Sequence, residues 1–262
     1  MMKIVTGFIT LAGIFSFQTN FAQAEIRFGV SAEPYPPFTS KDATGAWVGW
    51  EIDFMKALCA QIKETCSVVD VSWEGIIPAL NARKFDAILA SMSITEKRRA
   101  VIEFSSMYYN SAAALAGAKD QPAYKQANDL KGKNVGVQAA TIHQVYGQKY
   151  FAPAGAMIKT YAKQDEGLAD LASGRLDYFF GDALALDDFL QSPQGSCCRD
   201  AGVVANDPEV FGVGVGLGLR KDDVALREKM NDGIKTMVTN GELARISDHW
   251  HLTGKIILPS KP

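Results

Sequence analysis

The sequence predicts an α/β protein in two lobes, each a mainly parallel sheet flanked by helices. Three observations lead there. From Glu25 onward short apolar runs alternate with helical patterns, the signature of parallel strands covered on both faces. The alternation passes through two separate cycles. After the second cycle a glycine-alternating run, "FGVGVGLGLRKDD", and a charged segment remain, enough chain to return to the first lobe.

In the first cycle "IRFGVS" reads as a strand and "GWEIDFMKALCAQIK" as a helix with apolar residues three to four apart. "SVVDVSW" is a strand, "GIIPALNARK" a short helix and "FDAILASM" a strand. In the second cycle "NVGVQA" is a strand and "TIHQVYGQKYF" a helix. They are followed by strand "MIKTYA", helix "DEGLADLASGR", strand "LDYFFGD" and helix "ALALDDFLQS". Glycines 212, 214, 216 and 218 alternate strictly, which predicts a strand with one face closely packed. Leu217 breaks the G-x-G-x-x-G dinucleotide pattern. "VALREKMNDGIKTMVTNGELARISDHWH" reads as one charged helix. The lobes then span 25–109 plus 207–262 and, between them, 110–206.

Residues 1–24 read as a secretory signal peptide: "MMK", an apolar "IVTGFITLAGIFSF", and "FAQA" with cleavage before Glu25. Export to an oxidising compartment makes the four cysteines candidates for disulfides. Three pairings are possible; Cys59 with Cys66 and Cys197 with Cys198 need the least chain closure. Hydrophobic content of 47% and charged content of 21% fit a soluble chain with a core, and a net charge of −2 argues against a nucleic-acid surface. No metal motif is present: the cysteine spacings do not suit zinc, and the "HWH" histidines face different sides of a helix.

The stretch "LASMSITEKRRAVIEF" crowds Lys97, Arg98 and Arg99 into a helix start, where the backbone dipole is already positive. They could pair with Glu96 or Glu103. A bound carboxylate or phosphate would also satisfy them. Ser93 or Thr95 could cap that helix, and Thr141 the helix after "NVGVQA". Asp182 lies just past the strand in "YFFGD". An anion site on one lobe and a carboxylate on the other suit a zwitterion. Tyr35 in "EPYPPF" and Trp73 in "SWEGIIP" also sit at strand-to-helix junctions, as an apolar clamp would.

In their order, "YPPF", "GWEID", "SMSITEKR", "GKNVGVQAAT", "SGRLDYFFGD" and "FGVGVGLGLRKDD" resemble the periplasmic polar amino-acid binding proteins, the extracytoplasmic receptors of ABC importers. The lysine/arginine/ornithine and histidine binders are comparators. The resemblance implies the two-lobed periplasmic binding protein fold of type II, with a hinge that closes on the ligand. It implies that Arg98 grips the ligand α-carboxylate, aided by backbone N–H groups near Ser93 and Thr141. Asp182 would take the α-ammonium with Ser91 and Ser93. Tyr35 and Trp73 would sandwich the side chain, and Gln138, Ala90 and Ile142 would line the pocket. A disulfide between Cys59 and Cys66 matches one in the basic amino-acid binders.

This sequence departs from those binders at three positions. Ala32 stands where they carry an Asp that meets the distal cation, with Glu33 one residue on; Ala90 replaces a Ser, and Ile142 a Thr. Glu33 could still recognise a basic tail. The expected function is a monomeric periplasmic receptor without a cofactor, passing an amino acid or derivative to an inner-membrane ABC permease. The alternative is an enzyme resembling periplasmic cyclohexadienyl dehydratases on the same fold.

Overall fold

A computed structural model describes residues 25–261; the signal peptide expected at 1–24 lies outside the described residues. The strands are β1 (Ile26–Ser31), β2 (Ser40–Lys41), β3 (Trp47–Val48), β4 (Cys66–Val71), β5 (Ala87–Ile88) and β6 (Glu103–Phe104). They continue as β7 (Ala113–Ala118), β8 (Asn134–Gln138), β9 (Met157–Tyr161), β10 (Tyr178–Asp182), β11 (Cys198–Val203) and β12 (Gly218–Leu219). The α-helices are α1 (Trp50–Gln61), α2 (Ile76–Asn81), α3 (Glu96–Arg99), α4 (Ile142–Tyr146) and α5 (Gln164–Ala172). Then come α6 (Ala183–Gln191), α7 (Pro208–Phe211), α8 (Val224–Thr239) and α9 (Glu242–His249).

Two five-stranded sheets form two lobes, in the orders β4-β1-β5-β12-β6 and β11-β7-β10-β8-β9. In each sheet one strand runs against the rest: β12 in the first, β7 in the second. Both sheets are covered on both faces, as the apolar strands require. In β10, Tyr178 and Phe180 enter one apolar cluster and Phe179 the opposite one, the period of two that a pleated strand imposes. Trp50, fully buried at the start of α1, stacks with Phe54 and donates to Ser247 Oγ at 3.1 Å, tying α1 to α9.

The chain crosses between lobes twice. Tyr109 packs in the first lobe's core and Ala113 in the second's. On the return, Val210 is buried with the second lobe and Phe211 stacks on Tyr146. Bridges from Tyr109 and Ser93 to Val215 join the returning segment to the outgoing one and to the turn after β5.

Four sequence readings change. The run "FDAILASM" is a strand only at Ala87–Ile88, because the chain turns at Ser91, whose φ is 48°. The glycine run is a strand only at Gly218–Leu219. Gly212 and Gly214 have φ of 73° and 114°, and a Cβ at Gly212 would lie 1.9 Å from the Ile94 carbonyl oxygen. There the glycines serve positive φ and close backbone approach, not pleating. The single C-terminal helix is two, broken at Gly241, whose left-handed φ of 83° no continuing helix accepts. It ends at His249, and His251 lies beyond it at φ 55°. The "TIHQVYGQKYF" helix is α only to Tyr146 and then widens into a π-helical turn, Gly147–Phe151.

The disulfides join Cys59 to Cys66 and Cys197 to Cys198. No helix among the described residues is long and apolar enough to cross a membrane.

Candidate functional site

The C-terminal ends of the strands from both lobes face one another across a cavity of about 330 Å³, where open α/β sheets take their ligands. From the first lobe, the turn after β1 brings Glu33 and Tyr35, and Trp73 follows two residues after the end of β4. The turn after β5 brings Ala90, Ser91, Ser93 and Arg98. From the second lobe come Gln138 at the end of β8, Thr141 and Ile142 just after it, and Asp182 at the end of β10. All eleven positions singled out in the sequence line this one cavity.

The basic triplet divides by environment. Arg99 pairs with Glu103, and Lys97 is exposed. Arg98 turns inward. Its Nη1 donates to the Ser93 carbonyl at 2.9 Å and its Nη2 to the Ala140 carbonyl of the other lobe at 3.3 Å. No carboxylate among the described residues pairs with it. Burial without a counter-ion lowers its pKa to about 10, which leaves it charged at neutral pH. The guanidinium also lies 5.4 Å from the centre of the Trp73 ring.

Asp182 is the opposite charge, nine-tenths buried. Its Oδ1 caps α6, accepting from Leu184 N at 2.9 Å and Ala185 N at 3.4 Å. Its Oδ2 accepts from Ser111 Oγ. Capping and cavity lining are thus shared between its two oxygens. No cation among the described residues pairs with it, and burial raises its pKa despite these donors. Thr95 and Thr141 cap their helices: Thr95 Oγ1 accepts from Arg98 N at 3.3 Å and Thr141 Oγ1 from Gln144 N at 3.1 Å.

The other lining groups are held in place. Trp73 Nε1 donates to the Ala139 carbonyl at 3.1 Å, across the lobes. Glu33 accepts from Ser31 Oγ and, at 3.3 Å, from Trp73 N. Tyr35 packs on Phe38 with ring centres 5.9 Å apart. Gln138 donates to the Ala162 carbonyl at 3.3 Å. Ala90 and Ile142 contribute apolar wall.

Residues 26–253 match the bacterial extracellular solute-binding proteins, family 3. The chain belongs to that family. It is 36% identical over 249 residues to the histidine-binding periplasmic protein of Salmonella typhimurium, covering 94% of this chain and 96% of that one. Its structure is similar to an ancestral arginine-binding protein bound to arginine, with a TM-score of 0.79 and 30% identity; the match covers 86% of this chain and 97% of the other. It also resembles an ancestral amino-acid-binding protein described as a precursor of cyclohexadienyl dehydratase. There the TM-score is 0.76 and the identity 28%, over 86% and 95% of the two chains.

Sequence reasoning missed several cavity residues of this family 3 protein. Ser111 emerges from the crossing segment, which carried no motif. His143 lines the wall edge-on to Phe180; burial and the nearby Arg98 charge push its pKa down to about 3, so it is neutral. Gln164, 7% exposed at the start of α5, lines the cavity with no hydrogen bond to its amide among the described residues. Glu51 lies behind the wall, fully buried. The "DEGLADL" reading began one residue too late to include Gln164, and "GWEID" gave Glu51 no partner. Among the described residues no cluster of three His, Cys, Asp or Glu could hold a metal.

Proposed function

We propose that the protein is a periplasmic receptor that closes its two lobes on an L-α-amino acid and presents it to an ABC permease. One observation carries this reading: a guanidinium and a carboxylate, each without a charged partner, face a single cavity from opposite lobes. A zwitterion completes both. Arg98 takes the α-carboxylate, with the Thr141 turn beside it. Asp182 takes the α-ammonium, with Ser91 and Ser93. Tyr35 and Trp73 clamp the side chain against Ala90, Gln138 and Ile142.

Charge favours a basic side chain. The cavity is lined by the carboxylates of Glu33 and Asp182 against the one guanidinium of Arg98, with His143 neutral. A ligand with one net positive charge balances it, and Glu33 stands ready for the distal cation. Histidine and arginine named for the relatives agree with a polar, nitrogen-bearing side chain. We place the hinge at residues 110–112 and, on the return, just after Phe211, with residues 25–109 and most of 207–262 forming the first lobe.

The test is a thermal-shift screen of protein unfolded and refolded to strip carried ligand, against the common amino acids. A ligand that binds only the folded state adds about 2.7 kcal/mol at a hundredfold excess over Kd. A rise with basic amino acids supports the reading, and no rise with any amino acid rejects it. The second reading, a dehydratase, draws on the likeness to a dehydratase precursor and is decided by turnover of prephenate or arogenate. Glu33 is the carboxylate nearest that task, its Oε2 accepting from Ser31 and Trp73.

A further inference from the structure

Glu51 occupies an unusual place for an acid. It is the second residue of α1, with no exposed surface, among Trp50, Phe54 and Tyr108. No lysine or arginine among the described residues pairs with it. A buried carboxylate without compensation costs several kcal/mol, so its hydrogen bonds have to account for it.

Those bonds converge on one cavity residue. Ser91 N donates to Glu51 Oε1 at 2.8 Å and to Oε2 at 3.1 Å, and Ser91 Oγ donates to Oε2 at 3.0 Å. Tyr108 OH donates to Oε1. Ser91 is also a non-glycine residue at φ 48°, a conformation that costs roughly 1–2 kcal/mol for an L-residue and persists where neighbours enforce it.

We propose that Glu51, though it does not touch the cavity, is a positioning residue for ligand binding: it holds Ser91 in the left-handed conformation and takes the proton of its hydroxyl. This rests on the amino-acid reading above. A serine hydroxyl has one proton and two lone pairs. With its proton and its backbone N–H both committed to Glu51, Ser91 offers a ligand lone pairs only. Ser111 is set the same way, its proton given to Asp182. The hydroxyls at this end of the cavity therefore welcome an ammonium and reject a carboxylate, while Arg98 does the reverse. The orientation of the bound zwitterion is built into the empty site by a carboxylate one layer behind it.

Other titratable groups face the same cluster. Tyr108 and Tyr109 come from the crossing segment, the Tyr109 hydroxyl buried beside the Ser91 side chain; Tyr35 comes from the turn after β1, and Asp182 from β10. Desolvation, with the Asp182 charge adding to it, raises the Glu51 pKa to about 7 against the hydrogen bonds from Tyr108 and Ser91. An ammonium arriving beside Asp182 and Ser91 favours the ionised form, so binding should strengthen as pH rises through neutrality.

The experiment uses L-arginine and its α-hydroxy analogue, L-argininic acid, as probes of the full mature chain. Glu51→Gln should weaken arginine by about tenfold, the worth of one charge-assisted hydrogen bond, and argininic acid much less, because a hydroxyl can donate or accept. Glu51→Asp should recover part of the discrimination, and in a Ser91→Ala background Glu51→Gln should cost no further discrimination. The neutral-pH rise in arginine affinity should vanish in Glu51→Gln. Equal losses for both probes, or the same loss with and without the Ser91 hydroxyl, would overturn the proposal in favour of a purely structural role. If the unaltered protein binds neither probe, the amino-acid reading fails for arginine, and amide exchange decides the positioning role by itself. Exchange at the Ser91 amide should speed up in Glu51→Gln, and an unchanged rate would overturn it.

Discussion

The indole Nε1 of Trp73 and the carbonyl of Ala139 meet at 3.1 Å, one from each lobe, at the wall of the cavity. The Arg98 contact to the Ala140 carbonyl lies beside it, and Lys255 pairs with Asp187 at 3.2 Å, also between lobes. These contacts describe a closed arrangement. Trp73→Phe keeps an aromatic clamp but removes the N–H. It should weaken ligand binding by about 1 kcal/mol, one ordinary hydrogen bond, and raise the radius of gyration seen by small-angle scattering without ligand. Unchanged affinity and unchanged dimensions would mean that this bond does not hold the lobes together.

Arg98 and Asp182 should dominate affinity. Arg98→Ala or Asp182→Asn leaves one end of a buried zwitterion unpaired, at a cost of about 2–5 kcal/mol. Lys97, next in sequence but exposed, is the control, and Lys97→Ala should leave affinity within about 0.5 kcal/mol. Titration calorimetry with the best ligand from the screen makes the comparison. Near-normal binding by Arg98→Ala would defeat the zwitterion model.

The two disulfides should contribute unequally. Cys59 and Cys66 lie seven positions apart and join the end of α1 to the start of β4. Releasing a loop of that size from constraint costs about 2 kcal/mol on the chain-entropy account. Cys197 and Cys198 are neighbours and close almost no loop. Urea unfolding should show Cys59→Ala/Cys66→Ala well below the parent and Cys197→Ala/Cys198→Ala within about 1 kcal/mol of it. Equal losses would show that the adjacent pair acts through the native state.

What the sequence made legible was what short range controls. Arg98, Thr141 and Asp182 each follow an apolar strand within a few residues, so their position at a strand end could be read directly. Glu51 could not be read this way. On α1 it falls in an ordinary acidic first turn, and its partner Ser91 is 40 residues further on. Gln164 gains its place only when β9 lies beside β8 in the folded sheet. The glycine run misled because alternation of period two is what a strand shows, whereas Gly212 answers to the Ile94 carbonyl and Gly214 to the Met107 side chain and the Tyr109 carbonyl, far away in sequence.

Glu51 and His143 should give stability two opposing dependences on pH. Glu51 has its folded pKa raised from 4.5 to about 7 by burial, so the folded state holds a proton that the unfolded chain releases. Its contribution is fully present below about pH 4.5 and is lost as pH rises through 7, by about 3 kcal/mol in total. His143 is depressed from 6.5 to about 3; the unfolded chain binds a proton that the folded state refuses, and stability is lost as pH falls below 6.5. Asp182, also raised, acts in the direction of Glu51 but is common to both proteins when a single variant is compared with its parent. Urea unfolding at pH 4, 5, 7 and 8 separates the two groups. Glu51→Gln should gain on the parent between pH 5 and pH 8, while His143→Gln should gain on it as pH drops from 7 to 4. Stability curves that run parallel to the parent in both variants would mean that neither group changes its proton affinity on folding.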